Sequence, residues 1–449
     1  MPQIINTNIA SLTAQRNLNG SQSSLATSLQ RLSTGLRINS AKDDAAGLAI
    51  SERFTTQIRG LNQAIRNAND GVSFAQTAEG ALTTVGDALQ RIRELAVQSI
   101  NDTNSSSDRQ ALNNEVGQLI AEVNRIANAT QFNGQNILDG SLATLTFQVG
   151  ANQGQTISVT GVDSRGAQLG ARVATTGSLT ATQIALGTAD LVVNGNTVDL
   201  SAAITTSDIV SAINGVTASS GVQAIKATSV DSGALAATTG TAIINGVSVG
   251  IDGTDATSVA ASADAINALT NQTGVTAVAA GTDITLSNTD GSDIIVGGTF
   301  LGGVAETYSA GVTFAGAVSD GAFTVTGGTL TDVGGALLGA AAQSDQALTS
   351  ANVLTGAEAN TALLTLDFSL QQVSGLRAEL GAVQTRFEST ISNLSINTEN
   401  LSAARSRIRD ADFAAETAEL TRSQILQQAG IAILSQANAL PQNVLALLQ

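Results

Sequence analysis

The chain has 449 residues and a net charge of −16, and it contains no Cys, no His and no Trp. These absences exclude disulfides, thiolate nucleophiles, imidazole acid–base catalysis and zinc held by Cys or His. We therefore expect a structural protein without enzymatic activity or cofactor. The acidic balance argues against nucleic acid, which needs a basic face, and no stretch approaches the ~20 consecutive apolar residues of a membrane span.

The N-terminal third predicts long helices, because apolar residues recur at steps of three and four. A first series is Leu18, Leu25, Leu29, Leu32 and Leu36. A second series is Ile58, Leu61, Ile65, Ala68, Val72, Ala75, Ala78, Leu82, Val85, Leu89, Ile92 and Ala96. A third helix carries Leu112, Val116, Leu119, Val123 and Ile126, and its start is predicted at a capping box of Ser107 and Gln110.

The composition then shifts to Thr, Ser, Gly, Ala, Val and Asp, and apolar residues alternate in short runs. Turn dipeptides at 133–134 and 139–140 begin this region, which predicts short strands joined by turns. The segment LVVNGNTVDL (191–200) parallels AIINGVSVGI (242–251), and the tripeptide AIN at 212–214 recurs at 265–267. We predict a duplicated small α+β module. The carboxylates of DGTD (252–255) and NTDGSD (288–293) do not match a calcium loop and are predicted to be solvated turns.

Charge is distributed unevenly along the chain. Residues 151–345 contain 15 acidic and 3 basic side chains, whereas residues 1–150 contain 12 and 11, and residues 346–449 contain 9 and 6. The middle therefore predicts a solvated outer surface, and the near-balanced ends predict surfaces that meet other copies without strong repulsion.

Heptad-like spacing returns in the last part of the chain. One series is Leu376, Leu380, Val383, Phe387, Thr390, Leu394, Asn397 and Leu401. The next is Ile408, Ala411, Ala415, Ala418, Arg422, Ile425, Ala429 and Ala432. The predicted fold class is α+β and multidomain. Paired N- and C-terminal segments form a long coiled-coil and bundle core, and a β-rich outer region is inserted between them.

Two interpretations of these apolar series, or seams, remain open. They close a helical bundle within the chain, or they leave apolar surface for other copies of the chain. The last ten residues favour the second, because Leu440, Val444, Leu445 and Leu448 crowd a segment that would be expected to fray. Together with Ile425 and Ala429 they form the candidate terminal assembly surface.

Four long strings resemble bacterial flagellin. They are RLSTGLRINSAKDDAAGLAI (31–50), LQRIRELAVQS (89–99), ATQFNGQNILDG (129–140) and RSRIRDADFAAETAELTRSQILQQAGIAILSQANALPQNVLALL (405–448). The resemblance covers about the first 170 and the last 105 residues, and is looser in the middle.

The resemblance implies a structural subunit that polymerises into the helical flagellar filament for swimming motility. By the same resemblance, residues 1–45 and 405–449 would form an inner-core coiled coil. Residues 46–172 and 345–404 would form an outer-core helical bundle with a β-hairpin, and residues 173–344 would form the surface-exposed variable region.

The resemblance also implies partners and a location. These are other copies of the chain, a flagellin-specific export chaperone, and the filament cap and hook-associated junction proteins. The first positive side chain is Arg16, so no cleaved signal peptide is predicted. This fits export by the flagellar type III apparatus to an extracellular filament.

A further implication is recognition by the host Toll-like receptor for flagellin. The matching positions are Arg91, Leu95 and Glu115, with Gln90 and Arg93 nearby, and filament packing is the alternative role of the same surface. The alternative function for the whole chain is a hook-associated junction protein or a secreted adhesin with flagellin-like termini.

Overall fold

The computed structural model describes residues 7–180, 191–200, 203, 205–227, 229–299, 305–327 and 343–446. The chain divides into two compact units. The first unit contains Met1–Ala75, Thr144–Val159 and Ala382–Gln449, and the second contains Gln76–Ala143 and Thr160–Gly381.

The N-terminal elements are long helices, as the apolar spacing predicts. They are α1 (Ile9–Thr34), α2 (Ala45–Ile100) and α3 (Ser106–Ala129). The predicted start of α3 was wrong by two residues. Its capping box joins Ser105 to Asp108, with the Asp108 N–H donating to Ser105 Oγ at 3.2 Å. A short carboxylate serves in place of the predicted Gln, since Asp108 Oδ2 accepts the Ser105 N–H at 3.0 Å.

Short antiparallel hairpins follow α3. The first six strands are β1 (Gln131–Phe132), β2 (Gln135–Asn136), β3 (Thr144–Gln148), β4 (Thr156–Thr160), β5 (Gly170–Thr175) and β6 (Leu179–Thr180). Asn133 and Gly134 connect β1 to β2 with φ of 51° and 78°. A two-residue hairpin loop with positive φ at both positions matches the right-handed twist of its strands.

The duplicated module predicted from the sequence is present. Its first copy is β7 (Leu191–Val193), β8 (Asn196–Val198), α4 (Thr206–Asn214), α5 (Thr217–Ser220), β9 (Val222–Lys226) and β10 (Val230–Ala236). Its second copy is β11 (Gly240–Ile244), β12 (Val247–Ile251), α6 (Ala256–Asn267), α7 (Thr270–Thr273), β13 (Thr276–Ala280) and β14 (Asp283–Asn288). In both copies a hairpin is followed by a helix, a short helix and two strands.

The repeated tripeptide AIN has a structural reason. Its Asn214 donates from Nδ2 to the Ala224 carbonyl at 2.9 Å and accepts the Ala224 N–H at 2.8 Å. Asn267 makes the same pair of hydrogen bonds to Ala277, at 2.9 and 2.7 Å. Each asparagine therefore fixes the end of its helix to the strand that follows.

The remaining strands are β15 (Ile294–Gly298), β16 (Glu306–Ser309), β17 (Val312–Ala317), β18 (Val325–Gly327) and β19 (Ser344–Ala347). The described strands form antiparallel sheets with the orders β12-β11-β15-β16-β6, β19-β5-β17-β9, β10-β14-β13 and β18-β7-β8. Aliphatic side chains dominate the two cores of this region, with Tyr308, Phe314 and Phe323 as their buried aromatics.

Two long helices complete the described chain: α8 (Gly356–Arg409) and α9 (Phe413–Ala446). In the first unit, the Phe147 ring of β3 lies 6.1 Å from the Phe74 ring and 5.4 Å from the Phe387 ring, the latter edge-on. The predicted series in α2 and α8 supply buried side chains such as Ala68 and Leu394.

Helices α1 and α9 pair antiparallel, as predicted. At one end Asn8 Nδ2 donates to the Ala437 carbonyl at 2.8 Å. Beyond the other end the Arg37 N–H, which follows α1, donates at 2.7 Å to the carbonyl of Arg409, the last residue of α8. Between them, an ion pair joins Arg31 to Glu416 at 3.7 Å. Helical ends and a middle of antiparallel sheets confirm the predicted fold class.

Candidate functional site

The seam between α1 and α9 contains Leu18, Leu25 and Leu32 of the series predicted on α1, but on α9 it differs from the predicted series. On α1 it consists of Ser11, Ala14, Leu18, Ser21, Leu25, Ser28 and Leu32, which alternate steps of three and four. On α9 it consists of Leu420, Ser423, Gln427, Gly430, Leu434 and Ala437. Gly430 faces α1, and an added Cβ there would be 3.4 Å from Leu18 Cδ1, which is ordinary van der Waals contact. Small residues and leucines alternate along this seam.

The predicted α9 seam lies instead on the exposed side of the helix. Ile425 is 60% exposed, and Ala415, Ala418, Ala429 and Ala432 are exposed as well. These residues therefore do not close the pair within the chain, which was one of the two interpretations left open, and α9 carries apolar residues around most of its circumference. Periodicity alone then does not select the side that faces α1.

The outward face of the pair is rich in large apolar side chains. At least half exposed are Ile9, Leu12 and Leu29 on α1, and Phe413, Ile425, Leu426, Ile431 and Ile433 on α9. Several of these residues were not part of the predicted terminal assembly surface. The isoleucines that flank the alanine series of α9 could have indicated them from the sequence. Large exposed apolar patches are a common feature of interaction sites.

The C-terminal candidates are only partly described. Leu440, Val444 and Leu445 lie on α9, but their side chains are outside the described residues. Leu448 lies wholly outside the described residues. Of the predicted terminal assembly surface, the structure describes the side chains of Ile425 and Ala429, and both are exposed.

A second candidate surface lies on α2 and α3. Arg91 donates from Nε and Nη2 to Glu115 Oε1 at 3.1 and 2.9 Å, and from Nη1 to Glu94 Oε2 at 2.9 Å. The hydrogen bonds that Arg91 donates to Glu94, and then those to Glu115, raise the pKa of Arg91. About half of each side chain remains accessible, 50% for Arg91 and 45% for Glu115. The two predicted residues thus form one exposed, fixed charge pair.

The other predicted residues of this surface differ from one another in exposure. Gln90 is exposed, and Arg93 is exposed and pairs with Asp367 of α8 at 2.7 Å, which raises the pKa of Arg93. Leu95 is only 1% exposed. The prediction that Leu95 lies on the exposed surface was wrong, and Leu95 packs into the helical core. The reason is that it lies three residues after the buried Ile92, on the same face of the helix.

Carboxylates in the turns of the middle region serve the backbone. Asp252 Oδ1 accepts the Thr254 N–H at 3.1 Å, and Asp255 caps α6 by accepting the Thr257 and Ser258 N–H groups. These hydrogen bonds lower the pKa of both groups. Within the described residues, no cluster of three or more acidic side chains could hold a metal ion. The helices of that same part of the chain include none long and apolar enough to cross a membrane.

The sequence matches two family profiles. The bacterial flagellin N-terminal helical region matches residues 5–143, and the bacterial flagellin C-terminal helical region matches residues 363–448. Among curated relatives, the B-type flagellin of Pseudomonas aeruginosa is 41% identical over 523 aligned positions, covering 100% of both chains. A flagellin of Salmonella typhimurium is 39% identical over 504 positions, again covering 100% of both.

Solved structures give weaker likenesses. FliC from Burkholderia pseudomallei is 24% identical with a TM-score of 0.32, covering 70% of this chain and 99% of that one. The flagellar junction protein FlgL from Legionella pneumophila is 14% identical with a TM-score of 0.36, covering 81% and 100%. The sequence relationship over the full chain is decisive: this chain belongs to the bacterial flagellin family, the structural subunits of the flagellar filament.

Proposed function

We propose that copies of this chain assemble through the outward apolar face of the α1–α9 pair. The observation that carries this proposal is the exposure of Ile425, Ile431 and Ile433, each more than half accessible, beside a seam that other residues already close. Burial against a neighbouring copy would remove this apolar area from water, which is the main favourable term in protein association.

The resulting polymer is open and helical. A contact between two different surfaces of the same chain continues without limit unless its rotation closes a ring. Residues 1–150 and 346–449 carry net charges of only −1 and −3, so close lateral packing there meets little repulsion. The net charge of −12 over residues 151–345 suits a solvated exterior.

This proposal includes a layered arrangement. Residues 1–45 and 405–449 form the inner core, residues 46–172 and 345–404 the outer core, and residues 173–344 the surface region. Support comes from Arg172 and Asp345, partners in the β5–β19 register at the two boundaries, where Arg172 Nη2 donates to Asp345 Oδ2 at 2.9 Å. The chain thus leaves and re-enters the outer core at one place.

Assembly is tested by adding seed filaments to purified monomer and following growth by electron microscopy. Ile425→Ser should slow elongation severely, because it places a hydroxyl in a buried contact. The matched control is Ile295→Ser, which removes a 48% exposed isoleucine from the middle sheet and should leave elongation unchanged. Equal elongation of both variants would refute the assigned surface.

The same experiment separates filament growth from the junction-protein or adhesin alternative. A filament subunit adds to its own ends repeatedly and gives long filaments. A junction protein would cap seeds after one or a few layers, and an adhesin would leave them unextended. Persistent wild-type monomers beside intact seeds would overturn the filament proposal.

Export and its partners belong to the same proposal. Before assembly the apolar face of α9 needs a cover, so a flagellin-specific chaperone that binds residues 410–449 in the cytoplasm fits this chemistry. Passage through the flagellar type III apparatus would follow, and the filament cap and hook-associated junction proteins would contact the terminal helices outside the cell. Co-purification of the chaperone with wild-type chain but not with Ile425→Ser tests this step.

We also propose that the Arg91–Glu115 pair forms part of a ligand surface for the host Toll-like receptor for flagellin. Support comes from its geometry: both side chains are accessible and held in one orientation by three hydrogen bonds. A fixed arginine loses little conformational freedom on binding, and arginine is enriched among interface residues that dominate affinity.

The receptor proposal predicts that Arg91→Ala weakens signalling by monomer in reporter cells about tenfold or more. The matched control is Arg125→Ala, an exposed arginine on α3 that pairs with Glu122 on the same helix. It should change signalling little, because its ion pair lies within one helix. A silent wild-type monomer, or equal losses in both variants, would contradict the proposal.

A further inference from the structure

The sequence contains five Asn-Gly steps, and all of them lie within the described residues: Asn19, Asn133, Asn194, Asn214 and Asn245. This dipeptide is chemically vulnerable. Glycine has no Cβ to obstruct its own backbone nitrogen, which can therefore reach the side-chain carbonyl carbon of the preceding asparagine. Whether it does so in a folded protein depends on how tightly that asparagine is held.

Three of the five asparagines are held at both ends of the side-chain amide. Asn194 donates to the Ser220 carbonyl at 2.8 Å and accepts the Thr324 N–H at 2.8 Å. Asn245 likewise donates to the Thr273 carbonyl at 2.7 Å and accepts the Ile295 N–H at 2.8 Å. Asn214 is fixed by its two hydrogen bonds to Ala224. Rotation of these amides toward the following nitrogen requires breaking two hydrogen bonds.

The fourth asparagine is restrained by its helix. Asn19 lies inside α1, which continues fifteen residues further to Thr34. The helical backbone directs the Gly20 N–H along the helix axis toward a carbonyl one turn earlier. Attack by that nitrogen on the Asn19 side chain requires local unwinding of the helix.

Asn133 differs from the other four. Its side chain is exposed and makes no hydrogen bond to any described residue. It lies in the two-residue β1–β2 loop, and no heavy atom comes within 4 Å of the Cβ position of Gly134. The amide is therefore free to rotate, and the space around the attacking nitrogen is open to water.

We propose that Asn133 is a site of spontaneous deamidation in the folded chain. The Gly134 backbone nitrogen loses its proton to water and attacks Asn133 Cγ. The N–Cγ bond forms, the Cγ–Nδ2 bond breaks and ammonia leaves, giving a succinimide. Water then opens the ring at either carbonyl and yields aspartate or isoaspartate, so the only co-reactant is water.

The two products differ in their effect on the hairpin. Aspartate adds one negative charge but keeps the backbone, and it tolerates the positive φ of this loop. Isoaspartate adds a main-chain carbon to a loop whose two residues set the pairing of Phe132 with Gln135. The second product should therefore loosen β1 and β2.

Folded protein is incubated at mildly alkaline pH, and each site is followed by mass spectrometry of proteolytic peptides, with isoaspartyl methyltransferase as a second readout. Asn133 should lose its amide at least about tenfold faster than Asn194, because two hydrogen bonds oppose the reaction at Asn194. Asn194 is a matched control, since it is followed by Gly in a loop with φ of 47° against 51° for Asn133.

A parallel incubation in concentrated urea isolates the contribution of the fold. There the rates at Asn133 and Asn194 should converge within a few-fold, because both sites then have the intrinsic reactivity of an unstructured Asn-Gly step. Equal rates in the folded protein would overturn the proposal. A preference for Asn133 that persists unchanged in urea would overturn it too, since the preference would then come from local sequence.

Discussion

At the residue scale, Gly71 shows how closely the helices of the first unit pack. A Cβ added at this position of α2 would lie 2.5 Å from Phe387 Cζ, and other atoms of the ring would also be within 3 Å. The ring is held in turn by its edge-on contact with Phe147. Glycine is required here because the aromatic ring occupies the space of a side chain.

Gly71→Ala should lower the free energy of unfolding by about 1–3 kcal/mol, because the ring must leave its position. The matched control is Gly80→Ala on the same helix, where no atom lies within 4 Å of the Cβ position. That change should stabilise the helix by about 0.5–1 kcal/mol. Urea unfolding monitored by circular dichroism measures both, and a stabilised Gly71→Ala variant would contradict the packing described.

Sequence patterns located side chains well where one helical stripe was clearly apolar. Ala68, Leu82, Val85, Leu89 and Ile92, all from the predicted α2 series, are buried. The same stripe explains the error at Leu95, which was read as a surface contact although its spacing from Ile92 places it in the core. A family resemblance identifies matching positions, but it does not state which way each side chain faces in this chain.

At the element scale, the antiparallel pairing of α1 and α9 and the leucines on the α1 face were predictable, but the face of α9 was not. The observed seam contains Ser11, Ser28 and Ser423, which hydrophobic periodicity discounts. Ser11 Oγ donates to Asn438 Oδ1 at 2.7 Å, so this seam serine has a partner across the pair. Larger apolar side chains remain outside, where they are available to another copy.

The duplicated module makes a prediction at the same scale. Asn267→Ala removes two hydrogen bonds to Ala277 and leaves its backbone groups without these partners, which should cost about 1–3 kcal/mol. Hydrogen exchange of the β13 amides should accelerate about tenfold or more. Amides of β9 in the first copy should be unaffected.

The reciprocal variant is the control. Asn214→Ala should accelerate exchange in β9 and leave β13 unchanged, since Asn214 contacts Ala224. If either substitution loosened both strands equally, the two copies would unfold as one cooperative unit, and the assignment of each asparagine to its own copy would fail.

At the scale of the whole molecule, hydrogen bonds lower the pKa of many aspartates. Ser141 and Asn136 lower that of Asp139 to about 2, and hydrogen bonds to Ser105 lower that of Asp108. Hydrogen bonds to neighbouring residues likewise lower the pKa of Asp43, Asp252, Asp255, Asp290 and Asp345. The sequence predicts turns at Asp139, Asp252, Asp255 and Asp290, but the hydrogen-bond partners of these residues depend on the fold.

These shifts set the direction of the pH dependence. A carboxyl group whose folded pKa lies below its unfolded value of about 3.9 stabilises the fold at higher pH. That contribution is complete above the unfolded pKa and is lost as pH falls through the folded pKa, which is about 2 for Asp139. Stability should therefore decline steadily as the protein is acidified below pH ~4.

The absence of histidine determines the stability expected above this acidic range. With no His and no Cys in the chain, no side chain of ordinary pKa changes charge between pH ~5 and ~7, so the urea midpoint should be constant across that range. Asp139→Asn should make the acid decline shallower, because one proton-linked group is gone. A midpoint that changes between those two pH values would require a carboxyl group with a strongly raised pKa, contrary to the downward shifts that the fold imposes on these aspartates.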